Sequence, residues 1–464
     1  MSNATSRLDV WLDGQPAPLG QLRRDVGVSL SFAYAPDYTT DPDAVPLSVR
    51  LPLRREPYGD REARAFFDNL LPEGEPRDAI AAKHRLDTGD VVGLLAILGA
   101  DAPGAVSVLP AGAPPAKSPG HLGIDYASMS EADLAEAVAA SATGRPPAEK
   151  LHFSLAGVQS KFALAVDDGG RFLVPLGGAP STHIVKVERT NARERGVVAN
   201  EFACLELCRR LGLPTVGARR VEIAGTPCLI TPRYDRRRSA EGLVGRLHQE
   251  DAAQVLGIDR SLKYEARAIE AGRKAGLTEL FGGFAGACRS PVDARDVLFR
   301  ATFVNWLVGN SDAHMKNFAL VHEPAGLRIA GLPLSPMRAL APIYDVVCVA
   351  AYPDFSHDYA MRIGADYSWS SVEREHWEHL ARLAFGARSR TAVRRGLERL
   401  RAIAATALPA LDAMVEERAV GRRETKSIRD VIGQRLRHLE ATMGWDVSAD
   451  TDEPIVRGGG WAMS

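Results

Sequence analysis

Asp312 stands five positions before Asn317 in the run Asn310-Ser311-Asp312-Ala313-His314-Met315-Lys316-Asn317. A carboxylate and a carboxamide at that spacing suit one task. A single short loop gives a base to an attacking hydroxyl and, a turn later, a neutral oxygen to Mg²⁺. Downstream, Ala341-Pro342-Ile343-Tyr344-Asp345-Val346-Val347-Cys348-Val349 sets one carboxylate within an apolar run. A charge in such surroundings is costly unless it is paired or holds a metal. Asp345 therefore needs a partner, and the Mg²⁺ that Asn317 would also hold is the candidate. The competing reading is a structural aspartate that caps a turn or pairs with an arginine. Taken together, Asp312 as base and Asn317 and Asp345 as metal ligands describe a site for phosphoryl transfer.

The offset is that of the protein-kinase loop H-R-D-x-x-x-x-N, without its arginine and with His314 after the aspartate instead of a histidine before it. Three further parts of such a site have candidates. Lys186 follows Ile184-Val185 on an expected strand, and Glu201, fifteen positions on, opens the next helix. These two would form the ion pair that holds a phosphate-binding lysine. Leu151 to Lys161 offers one glycine (Gly157), two serines (Ser154, Ser160) and a lysine directly before a strand. It is neither G-x-G-x-x-G nor G-x-x-x-x-G-K-[ST], but its backbone N–H groups could cradle phosphates. Thr231 to Tyr234 leaves the last hairpin where backbone groups would meet adenine.

These residues need elements to carry them. Leu8 to Leu12 alternates and runs into Asp13-Gly14, a hairpin start. Residues 63–71 read as a helix, 110–119 as a Pro-rich linker or surface loop, and 131–140 as a short helix. Phe162 to Val166 and Arg171 to Val174 flank Asp167-Asp168-Gly169-Gly170 as a hairpin. His183 to Val187 is a strand, Asn200 to Leu211 a helix closed by Gly212, and 221–230 a second hairpin. Beyond about 240, periodic stretches predict helices over 265–275, 294–308, 371–386, 390–416 and 425–443. The fold class expected is α+β: a two-lobed protein-kinase-like fold. It has a β-rich N-terminal lobe with an added N-terminal subdomain, and an all-helical C-terminal lobe. The boundaries expected are 1–110, 120–235, 236–446 and a disordered tail over 447–464.

Composition narrows the class further. The 464 residues are 45% hydrophobic and 25% charged, and the net charge is −1, so no global pull toward DNA or membrane is expected. The arginines at 233, 236, 237 and 238 read as a solvated face. Five cysteines, at 204, 208, 228, 288 and 348, form no C-x-x-C and read as reduced thiols. There is no secretory n-region and no apolar run long enough for a membrane helix. A cytoplasmic protein is expected. His376 and His379 do not have metal-site spacing and read as solvated helix residues.

The chain resembles the HipA family of bacterial serine/threonine kinases, the toxin half of HipA–HipB toxin–antitoxin pairs. Six segments carry the resemblance, in order: Phe66 to Gly74, Leu98 to Ala105, Ser154 to Lys161, Leu247 to Asp251 with Lys263-Tyr264-Glu265, Asp312 to Asn317, and Tyr344-Asp345. The resemblance implies ATP and Mg²⁺ as cofactors, with Asp312 as catalytic base and Asn317 and Asp345 on the metal. Ala156, Gly157, Val158, Gln159, Ser160 and Lys161 would cover the phosphates, and Lys186 would contact them. Pro232, Arg233 and Tyr234 would form the adenine hinge, and His314, Lys316 and Tyr344 would complete the nucleotide site. Ser154 matches a serine whose autophosphorylation switches the family's kinases off. Pro232 departs from the family's E-R-[FY]-D-R pattern and removes a backbone N–H there. The implied partners are a HipB-like antitoxin, DNA only through it, and a protein substrate such as an aminoacyl-tRNA synthetase. Two alternatives remain: a small-molecule or lipid kinase on the same scaffold, and a non-catalytic corepressor. The joint presence of Lys186, Asp312, Asn317 and Asp345 argues against the second.

Overall fold

Alternation along two strands decides where the chemistry faces. In the computed structural model, which describes residues 6–144, 161–323, 337–386 and 389–447, Lys161 and Lys186 lie directly opposite each other on neighbouring antiparallel strands. Their strand neighbours Phe162, Leu164, Val185 and Val187 turn the other way and pack on Leu134, Ala137 and Val138 of a helix behind the sheet. Successive side chains alternate faces, so one face of the sheet is apolar core and the other presents both lysines.

The chain builds toward this sheet from the N-terminus. Strands β1 (Arg7–Leu12), β2 (Gly20–Arg24), β3 (Leu30–Tyr34) and β4 (Val106–Pro110) form an antiparallel sheet of order β3-β2-β1-β4. Helices α1 (Pro36–Thr40), α2 (Asp60–Phe67), α3 (Glu75–His84) and α4 (Val91–Leu98) accompany it, and Phe32, Phe66, Phe67 and Leu95 share its core. The expected helix over 63–71 is α2 followed by a 3₁₀ turn at Asp68–Leu70.

The second unit holds β5 (Gly120–His121), β6 (Tyr126–Ser128), α5 (Glu131–Ala142), β7 (Lys161–Val166), β8 (Phe172–Pro175), β9 (His183–Val187), α6 (Val197–Arg210), β10 (Arg219–Ile223) and β11 (Thr226–Pro232). Six of these strands form a sheet of order β10-β11-β9-β7-β8-β6, with β9 in its interior. Ser130 caps α5 by accepting from Asp133 N. Gly212, at φ +77°, follows α6 in the left-handed conformation that closes many helices.

The rest is the large lobe: β12 (Arg236–Arg238), β13 (Leu243–Arg246), β14 (Gln249–Asp251), α7 (Ala252–Leu256), α8 (Glu265–Glu270), α9 (Leu277–Glu279), α10 (Pro291–Leu307), β15 (Ala319–Glu323), β16 (Met337–Leu340), α11 (Arg374–Phe385), α12 (Arg390–Glu416) and α13 (Arg422–Met443). It is not all-helical. Strands β14, β15 and β16 form a three-stranded sheet, and β13 pairs with β12 on one side and β5 on the other. Strands of three to five residues are too short to show a period against helical surroundings. The stretch expected as helix over 265–275 yields only α8.

Two joints lock the units together. Helix α6 belongs sequentially to the small lobe, yet Cys204, Leu205, Leu207 and Cys208 sit in the core of the large lobe. Asn200 fixes it further: its Nδ2 donates to Cys348 O at 3.1 Å, and its Oδ1 accepts from Cys348 N at 2.8 Å. The N-terminal unit grips the large lobe at residues 47–49. His248 Nε2 lies 2.7 Å from Leu47 O, and Glu250, fully buried, accepts from Val49 N at 3.2 Å and pairs with His322 at 2.8 Å. All five cysteines are free and buried. The expected tail from 448 onward lies outside the described residues. No helix among the described residues is long and apolar enough to cross a membrane.

Candidate active site

A cleft of about 810 Å³ opens between the sheet face that carries the lysines and the large lobe. Lys161, Lys186, Tyr264, Asp312, Asn317 and Asp345 all line it. Lys186 is its charged centre. Its Nζ lies 2.5 Å from Glu201 Oε1 and 2.6 Å from Asp345 Oδ1. Burial works against its charge, but the two carboxylates prevail and raise its pKa. Glu201 is 1% exposed, and its own pKa is raised, by burial first, against the pull of Lys186. The partner that Asp345 needed is thus Lys186.

Asp345 retains 41% side-chain exposure, so its carboxylate is open to the cleft beyond the lysine. Burial opposes its ionisation, but Lys186 and Lys161 outweigh that and hold the carboxyl far below the usual range. Its φ of +59° is uncommon for any residue but glycine. Aspartate tolerates that region best among the charged residues, and such conformations gather at functional sites. Lys161 has the opposite fate. Burial and the facing ammonium of Lys186 push it down to about 8. Two lysines held opposite each other repel, and an anion between them relieves both.

The catalytic-loop candidates come next. Among the described residues Asp312 has no ion-pair partner; Tyr264 donates its hydroxyl to Oδ1 at 2.7 Å. Desolvation pushes its carboxyl up, and that hydrogen bond pulls it down. Asn317 Nδ2 donates to the backbone O of Asp312 at 3.0 Å. The loop is thereby closed on itself, and among the described residues no hydrogen bond reaches the Oδ1 of Asn317. An amide oxygen and a carboxylate in one cleft form an oxygen donor set that suits Mg²⁺. Asn317 and Asp345 would hold it.

Not every expected nucleotide contact faces the cleft freely. Lys316 is turned toward the N-terminal unit: its Nζ reaches Asp251 Oδ2 at 2.7 Å, Asn69 Oδ1 at 2.9 Å and Asn69 O at 3.0 Å. Asp251 does double duty, since its other oxygen caps α7 through Gln254 N at 2.9 Å. His314 is buried, and burial together with the nearby Lys263 depresses it to about 3, so it is a neutral imidazole. Tyr344 donates to Lys316 O at 2.8 Å and stacks on Tyr234 with centroids 5.4 Å apart.

At the hinge, Pro232 has no N–H, and that of Arg233 is donated to Thr182 O at 2.9 Å. The guanidinium of Arg233 forks onto Asp235 at 3.0 and 2.8 Å, and Arg236 adds a contact at 2.9 Å. Arg233 and Arg236 are therefore no solvated face. Burial would raise the Asp235 carboxyl, but the two arginines hold it far below its ordinary value. Asp235 in turn accepts from Gly104 N at 3.1 Å. A side chain at Gly104 would bring its Cβ within 2.9 Å of Gln249 N, so this close approach requires glycine. Ser154, Ala156, Gly157, Val158, Gln159 and Ser160 lie outside the described residues.

Sequence reasoning gave no role to Tyr264, Asn69, Glu73, Lys263 or Asp251. Glu73 meets Lys263 at 2.7 Å and Lys316 at 3.8 Å, so the N-terminal unit reaches the catalytic loop itself. The signal available was their place in the segments resembling the family. Spacing offered none, because Asn69 and Lys316 are 247 residues apart.

Comparison with known proteins agrees with this architecture. A HipA N-terminal domain model matches residues 8–109, and a HipA-like C-terminal domain model matches residues 153–408. The chain is 34% identical over 380 residues to the putative kinase Y4mE of Sinorhizobium fredii, covering 81% of this chain and 85% of that one. It is 30% identical over 372 residues to the serine/threonine-protein kinase toxin HipA of Shewanella oneidensis, covering 76% and 78%. The solved complex of HipA and HipB of Shewanella oneidensis MR-1 with operator DNA superposes with a TM-score of 0.73 at 25% identity, covering 94% of this chain and 98% of that one. The chain belongs to the HipA family of serine/threonine-protein kinases.

Proposed function

We propose that this protein is the toxin of a HipA–HipB pair and transfers the γ-phosphoryl group of ATP to a serine or threonine of a protein substrate. One observation carries the reading. Lys186 bridges Glu201 and Asp345 in the same cleft that holds Asp312 and Asn317. That is the set phosphoryl transfer needs: a fixed cation for phosphates, oxygen ligands for Mg²⁺, and a carboxylate base.

Each residue then has a task. Lys186 and Lys161 hold the phosphates from the sheet side. Asn317 and Asp345 hold Mg²⁺, which when bound offsets the charge of the phosphates. Asp312 accepts the proton of the attacking hydroxyl. The stacked Tyr234 and Tyr344 line the cleft, and the Arg233 N–H at the hinge is already donated to Thr182 O. The relative solved with HipB and operator DNA supports a HipB-like antitoxin here, with DNA reached through it. A translation component such as an aminoacyl-tRNA synthetase is the proposed substrate, and autophosphorylation of Ser154 the proposed off-switch. The site of action proposed is the cytoplasm. Protein phosphorylated at Ser154 that binds ATP as tightly as the unmodified chain would remove the switch.

The test uses a cell lysate, labelled ATP and Mg²⁺, with the wild type and Asp312→Asn side by side. New phosphoserine or phosphothreonine on a lysate protein, found by mass spectrometry only with the wild type, is the expected result. Label in a lipid or small molecule instead would overturn the protein-kinase reading.

A further inference from the structure

Tyr264 is the N-cap residue of α8, and it reaches the catalytic loop 48 residues later. Its hydroxyl donates to Asp312 Oδ1 at 2.7 Å. Its ring stands edge-on to the buried imidazole of His314, with centroids 5.2 Å apart and planes at 88°. The backbone on either side is held. Met315 N donates to Lys263 O at 3.3 Å, and Glu265 N donates to Ala360 O at 2.9 Å. The ammonium of Lys263 lies 5.3 Å from the centre of the Tyr264 ring and is itself paired with Glu73. The phenol is thus placed by the large lobe and, through Lys263, by the N-terminal unit.

The loop's own lysine does not share this task, because Lys316 is spent on Asn69 and Asp251. Among the described residues no hydrogen bond reaches the second oxygen of Asp312. The torsion that turns a carboxylate about its Cβ–Cγ bond is broad, so an aspartate with one oxygen tied is far better aimed than a free one. Orientation to within a few tenths of an ångström separates a working base from a poor one.

We propose that Tyr264 is a positioning residue for phosphoryl transfer, holding Oδ1 of Asp312 so that Oδ2 faces the hydroxyl of the acceptor serine or threonine. The proposal rests on Asp312 being the base. The phenol keeps its proton throughout. The acceptor's proton passes to Oδ2 while its oxygen bonds to the γ-phosphorus and the bond from that phosphorus to ADP breaks. Burial and the adjacent Asp312 both raise the Tyr264 pKa, so the hydroxyl remains a donor at any working pH.

Tyr264→Phe keeps the ring against His314 and removes only the donor. The expected result is a kcat lower by roughly tenfold to a hundredfold, with the Kd for MgATP, the KM for the protein acceptor and the melting temperature unchanged. In an Asp312→Asn background, followed by slow accumulation of label over hours, the same substitution should cost nothing further. Two results overturn the proposal: a kcat within twofold of wild type, or a fall in kcat accompanied by weaker MgATP binding or a lower melting temperature. A wild type that is no faster than Asp312→Asn sinks the underlying assignment instead, whatever Tyr264→Phe does.

Discussion

Replacing Lys186 by Met should destabilise the protein as well as silence it, and the two effects can be separated. Lys186 is 8% exposed, and its ammonium touches Glu201 at 2.5 Å and Asp345 at 2.6 Å. Without it, Glu201 keeps a charge in a site that is 1% exposed. Breaking a buried pair by removing one partner costs about 3–5 kcal/mol. Asp345 adds little to that, because its side chain is 41% exposed and solvent screens it. Glu201 can also escape part of the cost by taking up a proton, since burial already raises its pKa. A net loss of about 3 kcal/mol is expected, which is a fall of roughly 1 M in urea midpoint for an m-value near 3 kcal/mol/M. The double variant Lys186→Met/Glu201→Gln removes the orphaned charge and should recover most of the midpoint while staying inactive. The loss in the single variant should also shrink as pH falls and Glu201 is neutralised. Urea titrations followed by tryptophan fluorescence provide the assay. A single variant that unfolds at the wild-type midpoint, or a double variant no more stable than the single, would refute the reasoning.

Other substitutions probe the joints and ligands. Lys316→Met leaves Asp251 and Asn69 without their shared ammonium. It should cost about 3 kcal/mol or more, and hydrogen exchange should quicken first around residues 69–73. Asp345→Ala should abolish the dependence of nucleotide affinity on Mg²⁺, read by calorimetry with and without the ion; an undiminished dependence counts against the ligand role. Two buried histidines and the half-buried His183 set an acid limit. Burial depresses His248 and His314 to about 3 and His183 to about 4. In the unfolded chain each takes up a proton near 6.5, so the unfolded state binds more protons between there and the folded values. Stability is then full above about pH 6.5 and is lost as pH falls toward 4, by up to about 1.4 kcal/mol per pH unit for each group. His248→Gln should flatten the slope of urea midpoint against pH by about one proton; an unchanged slope would show that His248 is not buried neutral.

What could be read from the sequence was chiefly local. The offset of Asp312 from Asn317 lies within one loop, and the helices α12 and α13 are long enough for their period to show. The alternation of Ile184, Val185, Lys186 and Val187 fixed which face Lys186 takes, because a strand has only two. The contacts that remained hidden are those between distant segments. The bonds of Lys316 to Asn69 and Asp251 had no local signal, and Arg233 looked solvated until Asp235 claimed it. The partner of Asp345 was argued from cost alone. Mg²⁺ was the candidate, with a turn cap or an arginine as the competing reading, and the cation found beside Asp345 is a lysine 159 positions upstream. The sheet of β14, β15 and β16 stayed hidden because β14 has only three residues and its pairing partner is 68 residues away along the chain.

Transfer by the purified chain itself tests the central claim most directly. The protein is incubated with γ-labelled ATP, with and without Mg²⁺, beside Asp312→Asn shown by calorimetry to bind MgATP equally well. Mg²⁺-dependent label on serine or threonine is expected with the wild type and, in the time that labels the wild type, none with the variant. Equal labelling of the two, or none by either while both bind MgATP, would contradict it.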